Sequence, residues 1–187
     1  MKILAISGSL RADSLNTKLL HAAGALANDE VEFEVWDGLK AVPPYDEDDE
    51  TGTPLFAVAR LRSAIGQADA VLFATPEYNA SIPGQLKNAL DWVSRPIATN
   101  PLRNVPVAVI GASPGAFGAV WAQAELKKVV ALIGARVLPI ELPVSQAATR
   151  FDADGRLIDD ELRVSLSEVV RDLVSAAQER EAVQATG

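Results

Sequence analysis

Apolar positions along the chain follow two periods, one short and one helical. Ile3, Leu4, Ala5 and Ile6 form a continuous run, the pattern of a strand buried on both faces of a parallel sheet. Gly8 breaks that run. A helical stripe of Leu15, Leu19, Ala22, Ala23 and Leu26 follows, with Ser14 in the N-cap position. Val31 to Trp36 alternates strictly, which predicts a strand with one wetter face near a sheet edge. A second helix is predicted from about Pro54, with Leu55, Val58, Leu61 and Ile65 on one side. Ala70 to Thr75 reads as the third strand, Gln85 to Ser94 as a helix, and Val107 to Ile110 as the fourth strand. Another helix covers about 118–134, and Arg136 to Leu142 reads as a fifth strand. Asp152 to Gly155 is a turn. The last helix begins near Asp159 and carries Leu162, Leu166, Val169, Val170 and Leu173 on one stripe. The small, polar segment Gln178 to Gly187 is expected to fray.

Five strands alternating with five helices predict an α/β fold. The expected form is one domain over residues 1–187, a doubly wound five-stranded parallel sheet with helices on both faces. Such sheets bind ligands beyond the carboxyl ends of their strands, where the chain order reverses. Three loops belong at that edge: 8–17, 76–83 and 111–118. Turn formation alone accounts for Gly111, Gly115 and Gly118. It does not account for Arg11, Glu77, Tyr78 and Asn79 gathering there.

Composition narrows the chemistry. Net charge is −8 with no basic patch, which argues against nucleic acid and anionic membrane as partners. The chain has no cysteine and one histidine. Disulfides, thiolate metal sites and cysteine nucleophiles are therefore excluded, and a Ser-His-Asp triad is disfavoured. His21 falls on the polar side of the first helix as an ordinary surface residue. The acidic run Asp46 to Glu50 reads as solvated charge, not a metal site. No apolar run is long enough to span a bilayer. The first strand begins at once, with no signal peptide, so the expected compartment is the cytoplasm.

The first loop carries a specific chemistry. Free N–H groups at a helix start and the positive end of its dipole favour an anion. Arg11 adds a fork that holds phosphate bidentately. Ser9, Ser14, Asn16 and Thr17 add neutral donors. Together these groups predict a phosphate site. Neither G-x-x-x-x-G-K-[ST] nor G-x-G-x-x-G is present after the first strand, which disfavours a P-loop NTPase and a standard Rossmann dinucleotide site.

Two motifs carry a family resemblance. Gly8-Ser9-Leu10-Arg11-x-x-Ser14-x-Asn16 follows strand one. Thr75-Pro76-Glu77-Tyr78-Asn79-x-Ser81-x-Pro83-Gly84-x-Leu86-Lys87-Asn88-Ala89-x-Asp91-Trp92 follows strand three. Both resemble the NADPH-dependent FMN reductase family, which includes quinone, chromate and azo-dye reductases. The resemblance covers Met1 to about Leu173 and implies a flavodoxin-like fold. It implies bound FMN, NADPH or NADH as co-substrate, a small-molecule electron acceptor, and a homodimer or homotetramer. Ser9, Arg11, Ser14, Asn16 and Thr17 match the family's FMN-phosphate loop. Pro76, Glu77, Tyr78 and Asn79 match the segment holding the isoalloxazine ring. Ser113, Pro114, Gly115 and Gly118 match the loop closing the other side. Where many members carry a second glycine after Gly118, this chain has Ala119.

A flavin brings its own redox reactivity, so no catalytic acid, base or nucleophile is assigned. The competing reading is a flavodoxin-type electron carrier without substrate turnover of its own. A non-enzymatic α/β module and a receiver domain rank below it. Receiver chemistry lacks support because Ser7-Gly8-Ser9 stands where an acidic pocket belongs. Trp92 falls roughly 100° from Val93 on the helical wheel, off the docking face. The next helix is apolar around a broad arc including Trp121 and Leu132. These two helices are therefore expected to build an oligomer interface beside the flavin.

Overall fold

The computed structural model describes residues 1–50, 53 and 55–185. Five of its strands follow the predicted segments: β1 (Lys2–Ser7), β2 (Glu32–Trp36), β3 (Ala70–Ala74), β4 (Pro106–Ala112) and β5 (Arg136–Val137). A sixth, β6, is Pro143–Val144. The helices are α1 (Leu15–Ala25), α2 (Phe56–Gly66), α3 (Gly84–Val93), α4 (Val120–Leu132) and α5 (Asp160–Ala185). Pro54, the expected start of the second helix, lies outside the described residues, as do 186 and 187.

These strands pair in parallel, in the order β2-β1-β3-β4-β5, with β6 also paired to β4. This is the doubly wound order whose switch point lies between β1 and β3. β2 stands at the edge, as its alternation predicts. The strand pleat sorts side chains between two cores. Leu4, Ile6, Val71, Phe73, Val107 and Val109 face α2, α3 and α4. Ile3, Ala5, Leu72, Ala108 and Ile110 face α1 and α5. Burial on both faces is why these strands read as unbroken apolar runs.

Three expectations need correction. The single fifth strand is divided. Leu138 N–H still donates to Val107 O, but pairing resumes only at Leu142 and Val144, which accept from Gly111 and Ser113. Pro139 has no N–H to offer a ladder and sits within the gap. α5 continues to Ala185, through the segment from Gln178 that was expected to fray. Arg180 helps to anchor that end by donating to the carbonyls of Ala68 and Asp69.

The third correction concerns Trp92, which is buried within the chain. The segment 39–45 folds back over the outer flank of α3. Gln85 Nε2 donates to Leu39 O and Val42 O. Asn88 donates to Pro43 O and accepts from Tyr45 N. Trp92 Nε1 donates to Pro43 O at 3.0 Å, and its ring meets Tyr45 edge-on, centroids 5.0 Å apart. The indole is covered by this chain's own loop, so it is no outward anchor.

Candidate functional site

The three loops meet at the carboxyl edge of the sheet. Gly8 N–H donates to Ala74 O, and Thr75 N–H to Ile110 O, so the loops leave neighbouring strands in register. A Cβ on Gly8 would come 2.9 Å from Leu86 and 3.3 Å from Pro76. Glycine here lets the first loop pass directly against the second.

In the first loop, Ser14 caps α1 by accepting Thr17 N–H on its hydroxyl. Ser7 Oγ accepts from Ser9 N–H at 3.3 Å and from Thr17 Oγ1 at 3.0 Å. Having accepted twice, the Ser7 hydroxyl keeps its own hydrogen to donate. Ser9 Oγ accepts the Arg11 N–H. The first-turn N–H groups of Leu15 and Asn16 have no acceptor among the described residues, as expected at a helix start. Arg11 is exposed, and its guanidinium makes no salt bridge or hydrogen bond among the described residues. Asp13 would oppose an anion here, but Lys18 pairs with it. The Lys18 ammonium holds that carboxyl below the usual range.

Asn16 differs from its neighbours. It is buried, with its amide bonded both ways to the Ala112 backbone: Nδ2 to Ala112 O and Ala112 N to Oδ1, each at 2.9 Å. It ties the start of α1 to the end of β4. Beside Ser9, Arg11 and Thr17 opens a cleft of about 400 Å³, closed on its far side by Trp36, Leu39 and Lys40. Lys40 was not anticipated. It follows β2, and only the pairing of β2 with β1 brings it near Arg11. Larger hollows lie elsewhere, between α1 and 154–157 and beyond the C-terminal ends of α3 and α4. Convergent donors, not volume, distinguish the loop edge.

The second loop is closed by a tight turn. Tyr78 and Ser81 exchange backbone hydrogen bonds, 3.0 and 3.1 Å. Asn79 and Ala80 between them have φ of 54° and 58°, the geometry of a two-residue type I′ turn. Tyr78 is therefore displayed at an exposed tip. Its N–H is consumed by the turn, while those of Glu77 and Asn79 have no acceptor among the described residues. The Glu77 carboxylate is bonded to α4: Oε2 accepts from Trp121 N–H and Ala122 N–H, both at 3.0 Å.

The third loop is pinned to β6 and the residues after it. Ser113 N–H donates to Val144 O, Ala147 N–H to Ser113 O, and Gln146 N–H to Gly115 O. Ser113 Oγ accepts Gly115 N–H, and Pro114 is exposed between them. Gly118 has φ +58°, and a Cβ there would lie 2.5 Å from the Pro143 carbonyl carbon. Conformation and space both demand glycine at that position. Ala119 follows with φ 61°, a left-handed residue where glycine would be relaxed. Its methyl is buried beside Gly111.

The donor set of the first loop suits a phosphomonoester: serine hydroxyls, with a guanidinium and first-turn amides that have no partner among the described residues. The NADPH-dependent FMN reductase family profile matches residues 1–149. The chain belongs to that family. Among its relatives, an NAD(P)H-dependent FMN reductase of Pseudomonas aeruginosa is 44% identical over 165 residues, covering 87% of this chain and 88% of that one. A 2-hydroxy-1,4-benzoquinone reductase of Burkholderia sp. is 38% identical, with 87% and 88% covered. The solved flavoenzyme FerB, an NAD(P)H:(acceptor) oxidoreductase of Paracoccus denitrificans, superposes with TM-score 0.87 at 37% identity, covering 95% and 97%. No helix among the described residues is long and apolar enough to cross a membrane.

Proposed function

We propose that this chain is an FMN-dependent NAD(P)H oxidoreductase whose acceptor is a quinone or a similar small molecule. The carrying observation is that one loop, at the switch point of a doubly wound sheet, carries both an exposed Arg11 guanidinium and first-turn α1 amides that find no partner among the described residues. In this reading Arg11, Ser9 and the α1 amides hold the phosphate. Ser14 and Asn16 act one step back: one caps the helix and the other fixes it to β4. Thr17 orients Ser7. The second loop offers the Glu77 and Asn79 N–H groups to the flavin edge, and 113–118 closes the opposite side. FMN supplies the capacity to take up hydride from a nicotinamide and to release electrons to an acceptor. The side chains bind, orient and exclude water.

The same reading places the protein in the cytoplasm, as a homodimer or homotetramer assembled through α4. Exposed Phe117, Trp121 and Leu132 support that surface.

Purified protein should show a flavin absorption spectrum, and mass analysis of the released cofactor should give FMN. NADH or NADPH should be oxidised on addition of 2-hydroxy-1,4-benzoquinone. A colourless protein that takes up no FMN overturns the reading. FMN uptake without turnover on a panel of quinones favours the electron carrier instead.

A further inference from the structure

α4 lacks a cap of its own. Its N-cap residue is Ala119, which has no side-chain acceptor and adopts a left-handed conformation. The N–H groups of Trp121 and Ala122 therefore need an outside partner. Glu77 is that partner, reaching across from the second loop with one carboxylate oxygen 3.0 Å from each. A negative charge at a helix N-terminus also meets the positive end of the dipole. One turn further along α4, Glu125 makes the return contact: its Oε2 accepts Ile82 N–H at 3.2 Å. Two carboxylates thus stitch the 77–82 segment to α4 in opposite directions. α4 in turn is continuous with the third loop. Phe117 of that loop and Trp121 of the helix hold their rings 5.0 Å apart across the junction.

We propose that Glu77 is a positioning residue: together with Glu125 it clamps the second loop to α4 and so sets the gap between the two loops that receive the flavin ring. This rests on the FMN reading. The clamp acts on the ring side of the site, and Arg11 acts on the phosphate side. The two are separable with riboflavin, which has the ring and lacks the phosphate.

The experiment is titration of apoprotein with FMN and with riboflavin, for wild type and for Glu77→Ala, Glu77→Gln and Glu125→Ala. Amide hydrogen exchange at Trp121 and Ala122 is measured alongside, without flavin. Glu77→Ala should weaken both ligands by about tenfold, as expected for losing charge-assisted hydrogen bonds, and should speed exchange at both amides. Glu77→Gln retains an oxygen acceptor and should recover most of the affinity. Glu125→Ala should weaken both ligands less, and its effect should shrink when Glu77 is already alanine. Faster exchange in Glu77→Ala with unchanged flavin affinity reduces the carboxylate to a helix cap and overturns the clamp. So does a Glu77→Gln variant as weak as Glu77→Ala, which would mean that the charge acts on the ring directly. A wild type that binds neither flavin sinks the FMN reading. A wild type that binds both, with Glu77→Ala binding equally well, sinks the clamp alone.

Discussion

Arg11 lies exposed in the first loop, with neither a salt bridge nor a side-chain hydrogen bond among the described residues. A guanidinium so placed has its full donor fork available. Replacing it with alanine should weaken FMN by roughly tenfold or more, since a charge-assisted bond contributes on the order of 1.5–3 kcal/mol. Riboflavin affinity should be nearly unchanged, because riboflavin has no phosphate to pair. Fluorescence titration with both ligands decides it, and equal losses would remove Arg11 from the phosphate. Legibility at this scale was uneven. The Ser14 cap follows from residue type and position, and α1 starts where it predicts. Asn16 looked like another donor, yet its amide is consumed by Ala112, 96 positions away. The Glu77 contact with α4 spans 44 positions. A side chain's partner across such distances depends on which strands become neighbours, and local sequence does not encode that.

α3 shows how an element's covered face can exceed its docking stripe. The Leu86–Ala89–Leu90–Val93 stripe faces the sheet as its spacing predicts. Trp92 lies off that stripe and is nevertheless buried, because Asn88, Gln85 and the indole itself hold 39–45 against the helix. Trp92→Ala should therefore cost about 3–5 kcal/mol of stability, the range for a buried aromatic, with the oligomeric state unchanged. Urea unfolding and sedimentation of the folded variant check both parts. A variant of wild-type stability that dissociates would restore Trp92 as an interface residue. α5 begins at a different kind of device. Asp159 Oδ1 accepts Leu162 N–H at 2.8 Å, and its other oxygen pairs with Arg150. The Leu162 amide first, and then Arg150, hold this carboxyl below its ordinary 3.8. A depressed folded-state pKa stabilises the fold above the ordinary carboxylate range, and that contribution is lost as pH falls through the folded value. Wild type should thus lose more stability than Asp159→Asn, which starts less stable, as pH falls from neutrality to below 3.8. Equal losses in urea midpoint would show that Asp159 is not part of the acid response.

For the whole molecule, alternating strand and helix patterns specified the layers, and the alternation in β2 marked the sheet edge. The division of β5 from β6 escaped because Leu138, Ile140 and Leu142 keep the alternating apolar pattern of a strand while the backbone between them leaves the ladder. Assembly tests the remaining large-scale feature. With Trp92 enclosed, the proposed self-association rests on α4 alone. Trp121 and Leu132 are eleven positions apart, which at 100° per residue brings them within about 20° of one stripe and roughly 16 Å along the axis. They are 48% and 77% exposed, and Phe117 beside Trp121 is 63% exposed. Lys128 shares the stripe between them. A two-fold axis through such a helix sets the Trp121 end of one protomer against the Leu132 end of its partner, so each apolar end finds an apolar match. It also brings the Phe117 loops, and with them the cofactor edge, toward the shared surface. Burying a carboxylate there is strongly unfavourable, and an i,i+4 pair with exposed Lys128 offsets only on the order of 0.3–0.5 kcal/mol of that. Leu132→Glu should therefore shift sedimentation from oligomer to monomer at micromolar concentration while leaving the thermal transition of the isolated chain little changed, since Leu132 is exposed within the protomer. An oligomer that survives Leu132→Glu moves the interface off α4, and a wild type that sediments as a monomer while fully active removes self-association from the mechanism.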